Sequence, residues 1–417
     1  MRKIRFFLER YYFLLVLLMW AVLLNQAVIL KKADTRKKET SEAQKEEENK
    51  AGAGGNEEKI RVLLMDSSYE RYYHQEVTLS FDGKVEMYVH GQMKASLVTV
   101  EPCSGETQVL SLKRQQGCPR YPGKLLLRDC EEGILLINEL ALEEYLERVV
   151  PSEMPATYET EALKAQAVCA RTYARKKMEE SRFEEYGADL DDSVNDQVYN
   201  NISPQTETSE AVKETEGEVL CQNGELIEAY YFSTSAGFTS TDEIWGAVPA
   251  ASFLKSVECS FDKEEPWSRW EVKIPWDFLE KQAAGKWETD CKVKNIEIVR
   301  KSISNAVTGL RIQTENSWYI LENELEIRRF LSPCGLTVTR KNGEQVKGGN
   351  TLPSAYFTLD VDRNVSVTVS GSGYGHGVGM SQNAANHMAE QGKSYRDILN
   401  YFFKDVDIIR LDTTSCM

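Results

Sequence analysis

Glu153 stands in the hexapeptide PSEMPA, flanked by Met154 and by prolines at 151 and 155. Apolar neighbours deprive a charged carboxyl of solvation and raise its pKa. A carboxyl tuned in that way suits general acid work near neutral pH. The other reading of the same pattern is a carboxylate that caps or solvates a helix end. Three more segments carry groups of chemical interest. In EALKAQAVCARTYA, residues 161–174, Gln166 and Tyr173 lie seven apart and share a helical stripe with Leu163 and Ala170. They either line a sugar site or are satisfied inside a core. In AYYFSTSAGFTSTDEIWG, residues 229–246, hydroxyls precede Trp245, a combination that suits carbohydrate or makes an ordinary turn.

The third segment is GYGHGVGMSQ, residues 373–382, where glycines at 371, 373, 375, 377 and 379 join a strand to a helix. No Lys-Ser/Thr pair follows, so it is no Walker loop, and no βαβ unit follows to make a dinucleotide site. What remains is a turn whose backbone approaches a ligand closely, one wall of a cleft facing Glu153. The competing role is tight helix–strand packing. His376 lies within this turn, and Ser381 is placed to cap the next helix. The four histidines (74, 90, 376, 387) show no metal-ligand spacing, and the nine cysteines form no C-x-x-C pair. No metal and no cofactor are expected. Cys103 and Cys118 are a candidate disulfide, and Cys169 reads as a buried thiol.

The elements that must position these groups are strands first. RVLLMD, EVTLSF, KVEMYV, KLLLRD and GILLIN fill residues 61–138, and Asp82-Gly83 between two alternating runs signals a hairpin. Helices are expected at 142–150 and 161–177, with Thr160 as N-cap and the prolines breaking the chain between them. Short strands return at EGEVLCQ and ELIEAYYFSTS. Residues 261–358 form a Trp-rich stretch with strands near KNIEIVRKS and GLRIQT and a helix near 322–330, an inserted second lobe. The chain closes on the strand NVSVTVSG and helices near 382–391 and 395–403, the first stopped by Gly392. The expected class is α+β: a strand-rich domain over residues 60–412 with a helical catalytic segment and an inserted α/β lobe, together forming a cleft.

Residues 11–30 are almost wholly apolar, long enough for a helix to cross a bilayer, and Arg2, Lys3, Arg5 and Arg10 precede them. A single-pass anchor is expected, with residues 1–10 cytoplasmic and all that follows outside; no A-x-A-like site supports cleavage as a signal peptide. Residues 31–59 lack large apolar side chains and read as a flexible tether spanning on the order of 30 Å. The net charge of −15, without a basic block beyond the membrane-flanking part, argues against nucleic acid as a partner.

Taken in order, LALEEYLERVVPSEMPATYETEALKAQAVCARTYA, NDQVY, YFSTSAGFTSTDEIWG, LPSAYF and GYGHGVGMSQNAANHMAEQGKSYRDILNYFF resemble the stage II sporulation protein D family, which includes the amidase enhancers of bacterial cell walls. The resemblance covers most of residues 125–405. It implies a peptidoglycan lytic transglycosylase acting on glycan strands freed of stem peptides, during engulfment in endospore formation. It places the catalytic glutamate on Glu153. Candidate substrate contacts within the matching motifs are Gln166, Arg171, Tyr173, Ser233, Ser235, Tyr374, His376, Ser381 and Gln382. Implied partners are the glycan, a cell-wall amidase acting first and a membrane scaffold protein, at the mother-cell engulfing membrane. The alternative is a non-catalytic glycan binder that enhances an amidase. Some relatives carry Cys and His suited to zinc just before QVY; here Ser193, Val194, Asn195 and Asp196 stand there.

Overall fold

The computed structural model describes residues 58–114, 116–287 and 292–411. The expected anchor at 11–30 and nearly all of the expected tether lie outside them. Among the described residues, no helix is long and apolar enough to cross a membrane. The first strand, Lys59–Leu63, begins inside the expected tether, because Ile60 and Val62 alternate inward and are fully buried. It pairs antiparallel with Ile134–Ala141 and parallel with Leu190–Asp191, in a sheet completed by Lys124–Asp129, Leu97–Val100 and Tyr73–His74. Glu76–Phe81 and Lys84–Val89 form the expected hairpin, with Asp82 and Gly83 at φ +47° and +72°. Two successive positive φ values are what a two-residue hairpin turn requires.

The Ala-rich segment becomes helix α2 (Thr160–Glu180), which follows α1 (Leu142–Glu153). Ala162, Ala165, Ala167, Ala170 and Ala174 are all fully buried, so their small side chains let neighbouring elements approach α2 closely on several sides. Against it pack α1, α3 (Thr206–Glu214), α6 (Gln382–Glu390) and α7 (Tyr395–Phe402). The N-cap of α2 is Glu159 rather than Thr160, acting through backbone conformation without a side-chain bond. Ser381 caps α6 as expected, accepting from the Ala384 N–H, and Gly392 at φ +81° follows the helix end. The seven described cysteines are free thiols, which corrects the expected Cys103–Cys118 pair. The Cys103 N–H is instead held by the Asp82 carboxylate, and the Cys118 thiol donates to the Leu110 carbonyl.

A second hydrophobic core, including Trp270, Ile274, Leu310, Ile312, Phe330, Val367 and Val369, is built by two sheets with α4 (Trp276–Trp287) and α5 (Glu324–Phe330). The five-stranded sheet runs Gln345–Lys347, Thr337–Arg340, Trp270–Pro275, Ser366–Gly371, Phe357–Asp362. The strand Ser366–Gly371 carries this core past the expected boundary at 358, because Val367 and Val369 are buried in it. The class is α+β.

Candidate active site

Pro151 lies inside α1 instead of ending it, so Glu153 is the last helical residue rather than part of a loop. A proline in that place cannot donate to the carbonyl four residues back. The turn is held by the Ser152 hydroxyl on the Arg148 carbonyl (2.6 Å) and by the Met154 N–H on the Val150 carbonyl (2.9 Å). The chain then leaves the helix at Met154, whose side chain is buried in the hydrophobic core.

Oε1 of Glu153 accepts two hydrogen bonds, from the Val198 N–H at 2.7 Å and from the Tyr231 hydroxyl at 3.2 Å. Oε2 makes none among the described residues, and part of the residue surface stays open to solvent. Burial dominates and pushes the carboxyl up to about 7, against the opposing pull of Val198 and Tyr231. The group can therefore hold a proton on Oε2 at neutral pH, and once it loses that proton two donors already stabilise the anion.

Gln197, fully buried, orients this arrangement. It donates to the Ala170 carbonyl and to the Tyr231 hydroxyl, each at 3.2 Å, and accepts from Tyr145 at 3.2 Å. The Tyr231 hydroxyl, occupied as an acceptor by Gln197, is free to aim its proton at Glu153. Neither Gln197 nor Tyr231 was singled out in sequence, although both lie inside quoted motifs. Tyr231 pairs in parallel with Met380, which brings the hydroxyl-rich segment against the glycine turn. Gln382 then bonds the Glu153 carbonyl (3.2 Å) and Gln166 Oε1 (3.3 Å). Gln166 is fully buried and its Nε2 has no partner among the described residues. Asn383 donates to Thr234 (2.9 Å) and Ser233 (3.5 Å) and accepts from Tyr158.

Several expected contacts are placed where no glycan can reach them. Arg171 is fully buried: it chelates Glu143 at 2.6 and 2.7 Å and donates to the carbonyls of Val212 and Glu218. It joins α1, α3 and the strand Glu218–Gln222. Ser235 and Ser381 are buried around Asp262, whose carboxylate takes the Ser235 N–H and both hydroxyls at 2.6 Å. Asp262 gave no sequence signal, because SFDKEE reads as a solvated charged stretch. Tyr173 is nearly buried, donating to Asp196 at 3.2 Å.

The glycine turn is packed against protein. Gly373, Gly375, Gly377 and Gly379 all have φ between +81° and +110°. An added Cβ would fall 2.2 Å from the Tyr356 hydroxyl at Gly377 and 2.1 Å from the Tyr230 carbonyl at Gly379. His376 packs among Tyr230, Phe232 and Trp245 at centroid distances of 5.2 to 6.2 Å. Its Nδ1 accepts the Val378 N–H, and burial pushes its pKa down to about 3, so it is a neutral packing group. Only Tyr374 of the turn is exposed, its ring 4.8 Å from Trp267.

The position of the relatives' zinc ligands does not fit a metal here. Ser193 donates to Asp191, while the Asp196 oxygens take Tyr173, Arg182 and the Asp191 N–H. No thiol or imidazole is offered at this place, and the carboxylate is already engaged.

A family model described as Stage II sporulation protein (SpoIID) matches residues 130–221, and one described as a domain of unknown function (DUF8618) matches 248–379. Stage II sporulation protein D of Bacillus subtilis (strain 168) is 33% identical over 296 residues, 66% of this chain and 76% of that protein. The chain belongs to the stage II sporulation protein D family. The Amidase enhancer of the same strain is 32% identical over 285 residues, 62% of this chain but only 39% of that protein. Stage II sporulation protein D of Bacillus amyloliquefaciens is 30% identical over 294 residues. The sporulation-protein match holds Glu153, Gln166 and Gln197, whereas Tyr231 and Gln382 lie outside both matched ranges.

Proposed function

We propose that the chain is a peptidoglycan lytic transglycosylase of endospore formation, cutting glycan strands that lack stem peptides, with Glu153 as its single acid/base. In this reading Oε2 gives its proton to the glycosidic oxygen as the bond to the anomeric carbon of muramic acid breaks. The 6-hydroxyl of the same sugar bonds that carbon, and its proton returns to the carboxylate. No water is consumed, and an internal nucleophile gains its advantage from proximity. The observation that carries the reading is the Glu153 carboxyl at about 7 with one oxygen clamped and the other free. No carboxylate is among the groups that set its pKa, which suits a reaction without the second carboxylate of ordinary glycosidases. Residues 11–30 would anchor the enzyme in the mother-cell membrane, with the tether keeping it near that surface. The names of the relatives support a sporulation setting and a connection to an amidase, which in this reading acts beforehand. A membrane scaffold protein is a further partner in this reading.

The test is mass analysis of denuded glycan after incubation with the purified chain. Fragments ending in 1,6-anhydromuramic acid support the proposal, and fragments that have gained water contradict it. Intact strands together with a stimulated amidase would favour the enhancer role, which the similarity to the Amidase enhancer keeps as the second reading.

A further inference from the structure

A cleft of ≈ 720 Å³ separates Ala236 and Phe238, next to the catalytic strand Tyr231–Phe232, from the five-stranded sheet of the second core. Its volume is that of a small-ligand site. Four cations, Arg269, Lys301, Arg340 and Lys341, line it against one carboxylate, Glu271, in a chain with 65 acidic and 50 basic residues. Arg340 and Lys341 are neutralised by Glu344 and Glu264, and Glu271 accepts from Ser370 at 3.3 Å. Arg269 and Lys301 are exposed and have no ion-pair partner among the described residues. Both thus face the cleft, Arg269 lying also in the field of the Glu264 carboxylate, beside an exposed phenyl ring, Phe238, and the exposed Thr358.

The segment that lines the cleft with Ala236 and Phe238 also carries Tyr231, which donates to Glu153. Arg340 lies 5.0 Å over the Trp267 ring, which packs at a tilt against exposed Tyr374. The Tyr374 backbone pairs with Thr234, whose hydroxyl is held by Asn383, the neighbour of Gln382. Exposed Phe238 and Tyr374 give this region aromatic faces, which suit sugar rings.

We propose that this cleft reads the free lactyl carboxylates of glycan stripped of its stem peptides. The inference rests on the transglycosylase reading for its substrate. Removing a peptide from muramic acid leaves one carboxylate on every second sugar, whereas an attached peptide makes the same carbon a neutral amide. A strand so stripped is a regularly spaced anion with uncharged faces, and Arg269 and Lys301 meet that charge while Phe238 and Tyr374 meet the faces. Selection for stripped strands then has a physical basis away from the reacting bond.

The experiment measures binding to the full chain carrying Glu153→Gln, which does not consume the glycan. The ligands are stripped oligosaccharide and the same oligosaccharide with its lactyl carboxyls amidated, and a phosphate-bearing wall polymer serves as competitor. The expected result is about tenfold tighter binding of the free-carboxylate form, a difference that disappears in Arg269→Gln/Lys301→Gln. Binding of the amidated form and the melting temperature stay unchanged in that variant, because both side chains are exposed. Equal binding of the two glycans, a preference that survives the double substitution, or equally strong displacement by the phosphate polymer overturns the proposal. A chain that prefers the carboxylate yet forms no anhydro product loses the transglycosylase reading and keeps the cleft. A chain that cleaves free and amidated strands equally well loses the cleft and keeps the chemistry.

Discussion

Glu153→Gln is expected to make the protein more stable at pH 8 while leaving its stability at pH 4.5 nearly unchanged. The buried carboxyl titrates at about 7 when folded and near 4.5 when exposed, and the cause is burial. A folded-state value above the unfolded one means that the native chain binds more protons between the two. The contribution of Glu153 to native stability is therefore highest at or below pH 4.5, declines as pH rises toward 7 and levels off beyond it. The difference between the two values corresponds to about 3 kcal/mol, and partial solvent access brings the effect to about 1–3 kcal/mol. Glutamine keeps an acceptor for Val198 and Tyr231 and has no charge to bury. For about 350 folded residues, each kcal/mol moves the melting temperature by roughly 1.5 °C, so the variant should melt about 2–4 °C higher at pH 8. Scanning calorimetry of both proteins from pH 4.5 to 8 measures it. A difference that is constant with pH, or a variant less stable than the parent at pH 8, refutes the account of how Glu153 is tuned.

Tyr231→Phe removes a donor that favours the carboxylate, so the Glu153 pKa should rise and the fall of activity at high pH should move up by about 0.5–1 pH unit; an unshifted profile denies Tyr231 that role. Gly377→Val places a side chain on Tyr356 in a backbone with φ +84°, so melting temperature and turnover should fall together; lost turnover in a fully stable protein would return the turn to the ligand site. Arg171→Met leaves Glu143 without its buried partner and should cost about 3–5 kcal/mol in denaturant unfolding. Unchanged stability with weakened glycan binding would restore Arg171 as a substrate contact.

What was legible in the chain followed from local rules. Asp82-Gly83 announces its turn because few residues accept two positive φ values, and the alanines of α2 announce a closely packed helix. Glu153 was recognisable through its apolar neighbours, yet its setting was misread, since a proline in the last turn of a helix leaves most of the hydrogen bonds intact. The glycines at 373 to 379 were visible as a special backbone, but the groups that require them, Tyr230 and Tyr356, lie far away in sequence. Arg171, Ser235 and Ser381 looked like ligand contacts because their partners Glu143 and Asp262 come together only on folding. Gln197 and Tyr231 went unremarked for the same reason, their roles depending on an oxygen contributed by a third segment.

In the proposed cleavage of glycan, Glu153 alone moves the proton. The most direct measurement is the amount of 1,6-anhydromuramic ends released from stripped glycan by the native chain and by Glu153→Gln at pH 6, with both confirmed folded by calorimetry. Anhydro ends are expected from the native chain and a loss of about 10²–10⁴-fold in the variant, with glycan binding retained. Anhydro ends formed at equal rates by the two proteins would contradict it.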